Sequence, residues 1–238
     1  MDPRTRRIQV WERTLEHYRA QPSKRSTVYD ACPEPALPAK APAEPPVFFQ
    51  EDCIDVAVRM KSAGYKPLLL NMASDYLAGG GVRKGASAQE EELYRRSNYH
   101  KYDDRRNYPF PTSRIIYSAG VEYWLDGNYD PLPQPVALDC IAVAGLRKPE
   151  LSRDGRRILK KEDVAVLEQK IRTLCHVAAK HGNDCLVLSA LGCGAFENPP
   201  EHVARIFKRV LDEVSGHFKK VVFAILGYNY DVFKKNYV

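Results

Sequence analysis

Two short apolar runs, each ending in a glycine loop and followed by a helix-forming stretch, restrict this 238-residue chain more than any other feature. In the first, Leu68–Leu69–Leu70 ends at Asn71 and leads into Gly79–Gly80–Gly81. In the second, Cys185–Ser189 leads into Gly192–Cys193–Gly194, with Pro199–Pro200 opening the next helix-forming stretch. Short apolar runs bounded by turn residues read as buried strands. A buried strand, a loop and then a helix is the repeating unit of a layered α/β sheet, whose ligand crevice lies beyond the carboxyl ends of the strands. Both loops are therefore expected to face one cleft.

The rest of the chain fits that frame. Ile8, Trp11, Leu15 and Tyr18 share a helical face, which predicts an amphipathic helix over about 7–20. Pro33, Pro35, Pro38, Pro42, Pro45 and Pro46 exclude regular structure, so residues 1–46 read as a helix followed by a linker or strap, with a catalytic-size domain over 47–238. Strands are expected at Val47–Gln50, Leu68–Asn71, Arg114–Ala119, Glu122–Leu125, Val136–Ala144, Cys185–Ser189 and Val221–Leu226. Helices are expected from Asp52 or Asp55 to Ala63, from Ser87 to about Tyr99, from Asp163 to about His181 and over Pro200–Val214. Residues 100–113, with YPFP at their centre, read as a surface loop, or else as a lid bringing Tyr99, Tyr102 or Tyr108 to a ligand.

The function classes narrow quickly. No apolar run approaches the ~20 residues of a membrane span. MDPRTRRIQV lacks an apolar signal core, and the six cysteines form no C-x-x-C pair, which suits buried thiols in an intracellular (cytoplasmic or nuclear) protein, expected to be a monomer. No ligand spacing suggests zinc, the histidines form no constellation, and G-x-S-x-G and P-loop patterns are missing. The net charge of +6 suits an anionic ligand. The basic clusters at Arg4–Arg7, Arg147–Lys161 and Lys234–Lys235 read first as solvated faces and second as attraction for a polyanion.

Chemistry then concentrates on Gln89–Glu90–Glu91–Glu92, seven residues after the glycines. Ser87 and Glu90 match the S-x-x-E capping box, which would send the Glu90 carboxylate back to the Ser87 N–H. Glu91 lies about 100° further round the helix, has no capping role, and is the candidate acid–base carboxylate. Glu92 is expected to face solvent. A helix start favours an ionised carboxylate, while a general acid must hold a proton; a neighbouring acid and a dry pocket act in the opposite sense. The second loop, Ser189–Phe196 before a helix start, is a candidate anion site.

These residues resemble a known family. Gly79–Gly80–Gly81, seven residues, then Gln89–Glu90–Glu91 is similar to the GGG-x(6–8)-QEE signature of poly(ADP-ribose) glycohydrolases of the microbial type, which have a macrodomain-like fold. The resemblance extends to Asn71–Ser74, to QEEELYRRS over Gln89–Ser97, to Ile116–Ser118, to Leu191–Phe196 and to Trp11–Leu15. It implies a three-layer α/β/α fold with a central mixed sheet, and hydrolysis of ribose–ribose O-glycosidic bonds without metal or cofactor. It also implies Glu91 as the catalytic residue, with Glu90 on the ribose hydroxyls. Ligand contacts would come from Asp52, Asn71, Gly79, Gly80, Gly81 and Gln89, from Gly192, Cys193, Gly194 and Ala195 around the diphosphate, and from Phe196 beside the ribose. The expected ligand is poly(ADP-ribose) or ADP-ribose, with ADP-ribosylated proteins or nucleic acid as further partners. Ser74 stands where many macrodomains carry a second Asn, which counts against a mechanism built on that Asn. Two other readings stay open: an ADP-ribose reader without turnover, and a hydrolase of another ADP-ribosyl linkage.

Overall fold

The computed structural model describes residues 1–32, 37, 44–111 and 113–237. Its centre is a seven-stranded mixed sheet of β1 (Thr27–Tyr29), β2 (Val47–Phe49), β3 (Pro67–Met72), β4 (Ile115–Leu125), β5 (Pro131–Val143), β6 (Cys185–Leu188) and β7 (Lys220–Ala224), in the order β1-β4-β5-β3-β6-β7-β2. From β5 across to β2 every pairing is parallel, while β1 and β4 pair antiparallel at one edge. The central strands β5, β3 and β6 therefore deliver their carboxyl ends side by side.

The pleat of β3 divides the core into two layers. Leu68 and Leu70 pack with α4 (Lys161–Lys180), α5 (Pro200–Glu213) and α6 (Asn229–Asn236). Leu69 packs on the other face with α1 (Pro3–His17), α2 (Cys53–Ser62) and α3 (Gln89–Arg95). This is the expected three-layer arrangement. The inward stripe of α5, Val203, Ile206, Phe207 and Val210, is fully buried.

Several elements differ from expectation, each for a local reason. The face that α1 buries is Val10, Trp11 and Thr14, continued by Tyr18, and Leu15 lies exposed. The Thr14 hydroxyl donates to the Arg95 carbonyl and receives the Trp124 indole N–H, so a polar residue belongs to this interface. The two strands expected over 114–125 are one, broken in register between Ser118 and Val121, where Gly120 has a left-handed φ of 66°. Strand β1 was not anticipated, nor was α6, which Phe233 anchors in the core. Helix α3 stops at Arg95 rather than near Tyr99. Arg96 turns inward, donates to Asp52 at 2.8 Å and to the Leu125 carbonyl at 3.1 Å, and pairs with Asp55. Of the strap expected over 33–46, residues 33–36 and 38–43 lie outside the described residues; Glu44, near its end, pairs with Lys220.

Candidate active site

Loops from the three adjacent strand ends build one cavity of about 660 Å³. Met72–Leu77, Gly80 and Gly81 come from the loop after β3, Gly145 and Arg147 from the loop after β5, and Gly192 and Gly194–Phe196 from the loop after β6. Ala88 and the first turn of α3, Gln89–Glu91, close one side, and Pro109 and Phe110 another. The volume is that of a small-molecule site rather than a surface dimple.

Gln89 fixes α3 to the sheet. Its side chain behaves as an extra peptide group at the end of β3: Oε1 accepts from the Met72 N–H at 2.8 Å, and Nε2 donates to the Leu70 carbonyl at 2.6 Å. The next two residues must then point at the glycine loop. Glu90 is 3% exposed and accepts from the Ser74 N–H at 2.7 Å, the Gly79 N–H at 3.2 Å and the Asn71 amide at 3.5 Å. The expected capping box does not form. Ala88 caps the helix without a side-chain bond, and Glu90 is taken by donors from distant parts of the chain instead of by Ser87. Burial pushes the Glu90 carboxyl up to about 8, against the opposing pull of the Ser74 N–H and with the Glu91 charge adding to the rise.

Glu91 is bound differently. Its Oε1 accepts from the Gly81 N–H at 2.8 Å, while Oε2 is buried with no hydrogen-bond partner. A buried carboxylate oxygen left without a donor is a rare and costly arrangement. Gly80, at φ 50°, passes so close that a Cβ there would lie 2.6 Å from Glu91 Oε1. The glycine is needed for this approach as well as for its backbone angle. Glu92, expected in solvent, instead accepts from the Tyr129 hydroxyl and lies 3.5 Å from Arg95.

The loop after β6 is shaped by Asn198. Its amide group donates to the carbonyls of Leu146, Gly192 and Phe196, and its Oδ1 accepts from the Leu146 N–H. Gly192 must be glycine here, since at φ 74° a Cβ would sit 2.8 Å from that amide. The N–H groups of Cys193, Glu197 and Asn198 close the turn internally. No described residue accepts from the N–H of Gly194, Ala195 or Phe196, so three adjacent donors border the cavity.

The sequence-derived candidates divide into two groups. Glu90, Glu91, Gln89, Gly80, Gly81, Gly192, Gly194, Ala195 and Phe196 line the cavity together. Asp52, Asn71, Gly79 and Cys193 do not line it. Asp52 caps α2 and pairs with Arg96; Asn71 and Gly79 stand behind Glu90; Cys193 is turned into the core. The sequence reading missed Asp75, Tyr76, Phe110 and Arg147 on the wall. Phe110 corrects the view of 100–113 as a surface loop: its N–H donates to the Asp75 carbonyl at 2.6 Å and its ring packs 4.7 Å from Tyr108. Tyr99 and Tyr102 are buried behind the wall. Among the described residues, no group of His, Cys, Asp and Glu is placed to hold a metal ion.

A mixed sheet covered on both faces, with glycine loops and paired carboxylates at its central strand ends, defines a macrodomain-like α/β protein with a nucleotide-sized cleft. Residues 9–126 match the model of the microbial-type PARG catalytic domain. No curated protein matches the chain. Among solved structures, the poly(ADP-ribose) glycohydrolase of Thermomonospora curvata is 23% identical, with a TM-score of 0.78 over 98% of this chain and 99% of that one. The same enzyme bound to the inhibitor ADP-HPD gives 0.74 at 23% identity, over 97% and 99%. The Deinococcus radiodurans enzyme in complex with ADP-ribose is 25% identical, with a TM-score of 0.67 over 96% and 91%.

Proposed function

We propose that this chain is a poly(ADP-ribose) glycohydrolase that hydrolyses ribose–ribose O-glycosidic bonds and releases ADP-ribose, with Glu91 as general acid and base. One observation carries the assignment of Glu91. Its carboxylate is held by the Gly81 N–H through one oxygen, while the other oxygen is buried beside the cavity without a partner. Glu90, by contrast, is occupied on both oxygens and holds the glycine loop against β3. The family match and the ligands of the related structures point to the same substrate.

The bond dictates the rest. Its cleavage passes through an oxocarbenium-like state, and the leaving 2′-oxygen must be protonated. Glu91 donates that proton, and as a carboxylate it then takes one from the water that attacks C1″. Gly194, Ala195 and Phe196 offer N–H groups to the diphosphate, whose negative charge stabilises the cationic sugar. Glu90 and the loop it fixes orient the ribose. We place this activity in 47–238, with 1–46 supporting it, and take the enzyme to be an intracellular monomer. Among the described residues, no helix is long and apolar enough to cross a membrane.

The test is release of ADP-ribose from labelled poly(ADP-ribose). The wild type releases it, and Glu91→Gln abolishes release while keeping ADP-ribose binding within ~10-fold. A wild type that binds without releasing is a reader, and an active Glu91→Gln places the acid elsewhere. Release only from mono-ADP-ribosylated protein or nucleic acid would reassign the linkage.

A further inference from the structure

The side chains on the cavity wall include three acids, Asp75, Glu90 and Glu91, of which burial draws Glu90 towards its neutral form, and one basic group, Arg147. That balance repels a diphosphate unless Arg147 is available to it. The guanidinium sits between two candidate partners. It lies 4.4 Å over the ring of Phe196, the last residue of the loop whose three N–H groups border the cavity. Its Nε donates to Asp75 Oδ2 at 3.1 Å, and its terminal nitrogen pairs with Asp75 Oδ1. The two side chains are 53% and 32% exposed, so water screens the pair and an incoming anion can replace one partner with another. Asp75 is otherwise well placed to stay behind, since its own carbonyl holds Phe110.

We propose that Arg147 is a specificity-determining ligand for the diphosphate, and that Asp75 competes with the bound anion for it. Arg147 turns on the Phe196 ring, exchanging a carboxylate for a phosphate oxygen at similar geometry, which suits a planar guanidinium better than a lysine. Asp75 thereby sets a threshold: a ligand too weakly charged to displace the carboxylate leaves Arg147 where it is. The inference rests on the ADP-ribose reading of this cavity.

The experiment is equilibrium binding of ADP-ribose by calorimetry to the wild type, Arg147→Met, Asp75→Asn and the double variant, with salt varied. Arg147→Met is expected to weaken binding about 10-fold at low salt, as for loss of a charge-assisted bond, with the loss shrinking as salt rises. Asp75→Asn is expected to tighten binding, and to do so less in the Arg147→Met background, where there is nothing left to compete for. An unchanged affinity in Arg147→Met, or a loss that does not depend on salt, overturns the proposal. So does an Asp75→Asn effect of equal size in both backgrounds, which would mean simple repulsion by Asp75. A wild type that fails to bind ADP-ribose refutes the functional reading itself, and this inference with it.

Discussion

Replacing Gly80 with alanine tests the geometry of the carboxylate proposed as the general acid, Glu91, without replacing it. A Cβ at Gly80 would lie 2.6 Å from Glu91 Oε1 and 3.2 Å from Glu90 Oε2. Ordinary contact begins near 3.4 Å, so the Glu91 oxygen must retreat by about 0.8 Å. A displacement of that order at a reacting group costs about 10²-fold in rate. The left-handed backbone adds about 1 kcal/mol of strain, which in a chain of this size lowers the melting temperature by about 2–4 °C. Gly64→Ala supplies the control: its φ is 88°, and nothing lies within 4 Å of the added carbon. Both variants should melt a few degrees early, but only Gly80→Ala should lose kcat for release of ADP-ribose. The two measurements are initial rates on poly(ADP-ribose) and thermal unfolding by circular dichroism. A Gly80→Ala enzyme with wild-type kcat would show that the contact with Glu91 does not position the acid.

Two further outcomes concern residues away from the carboxylates. Asn198→Ala leaves the carbonyls of Leu146, Gly192 and Phe196 without their shared donor, and should cost about 2–4 kcal/mol in urea unfolding. It should also weaken ADP-ribose binding; unchanged affinity would mean that the loop holds its shape alone. His100 packs edge-on against Trp11, and burial, helped by the Lys101 charge, pushes its imidazole down to about 4. The unfolded chain takes up that proton near ~6.5 and the folded chain only near 4, so this stability is intact above ~6.5 and is lost as the pH falls towards 4. Melting temperatures across that window should fall less for His100→Gln than for the wild type, and parallel curves would refute the assignment.

Much of this architecture could be read from the chain, because the central strands are apolar runs with glycine loops at their ends. Glu91 became the candidate acid by a different route: once a local role was given to Glu90, its neighbour had none. That local role was the wrong one. The S-x-x-E spacing is real, but the Ser74 and Gly79 N–H groups reach Glu90 across the fold, and no reading of adjacent residues contains them. Arg147 was hidden in a run of basic residues that is mostly surface, and only the contact with Phe196 and Asp75 sets it apart. Phe110 was hidden by YPFP, which signals a turn whether or not the turn faces a ligand. Asp52 shows that an acid at a plausible ligand position can also be a good helix cap: here it caps α2 and pairs with Arg96.

The first helix lines no part of the cavity, yet it is attached to the turn that presents Gly81. Arg4 and Arg7 donate to the carbonyls of Lys84 and Gly85, and Trp11 lies beside Tyr94 of α3. The Arg4 bond is exposed, the kind that opens well before a sheet does, while Trp11, Thr14 and Tyr18 hold the rest of this segment in the core. Warming the protein should therefore fray the first turn of the helix while the sheet is still intact, and loosen the Lys84–Gly85 turn that follows Gly81. Activity should then begin to fall at a temperature below that of global unfolding, and a variant that pins the amino terminus should close the gap.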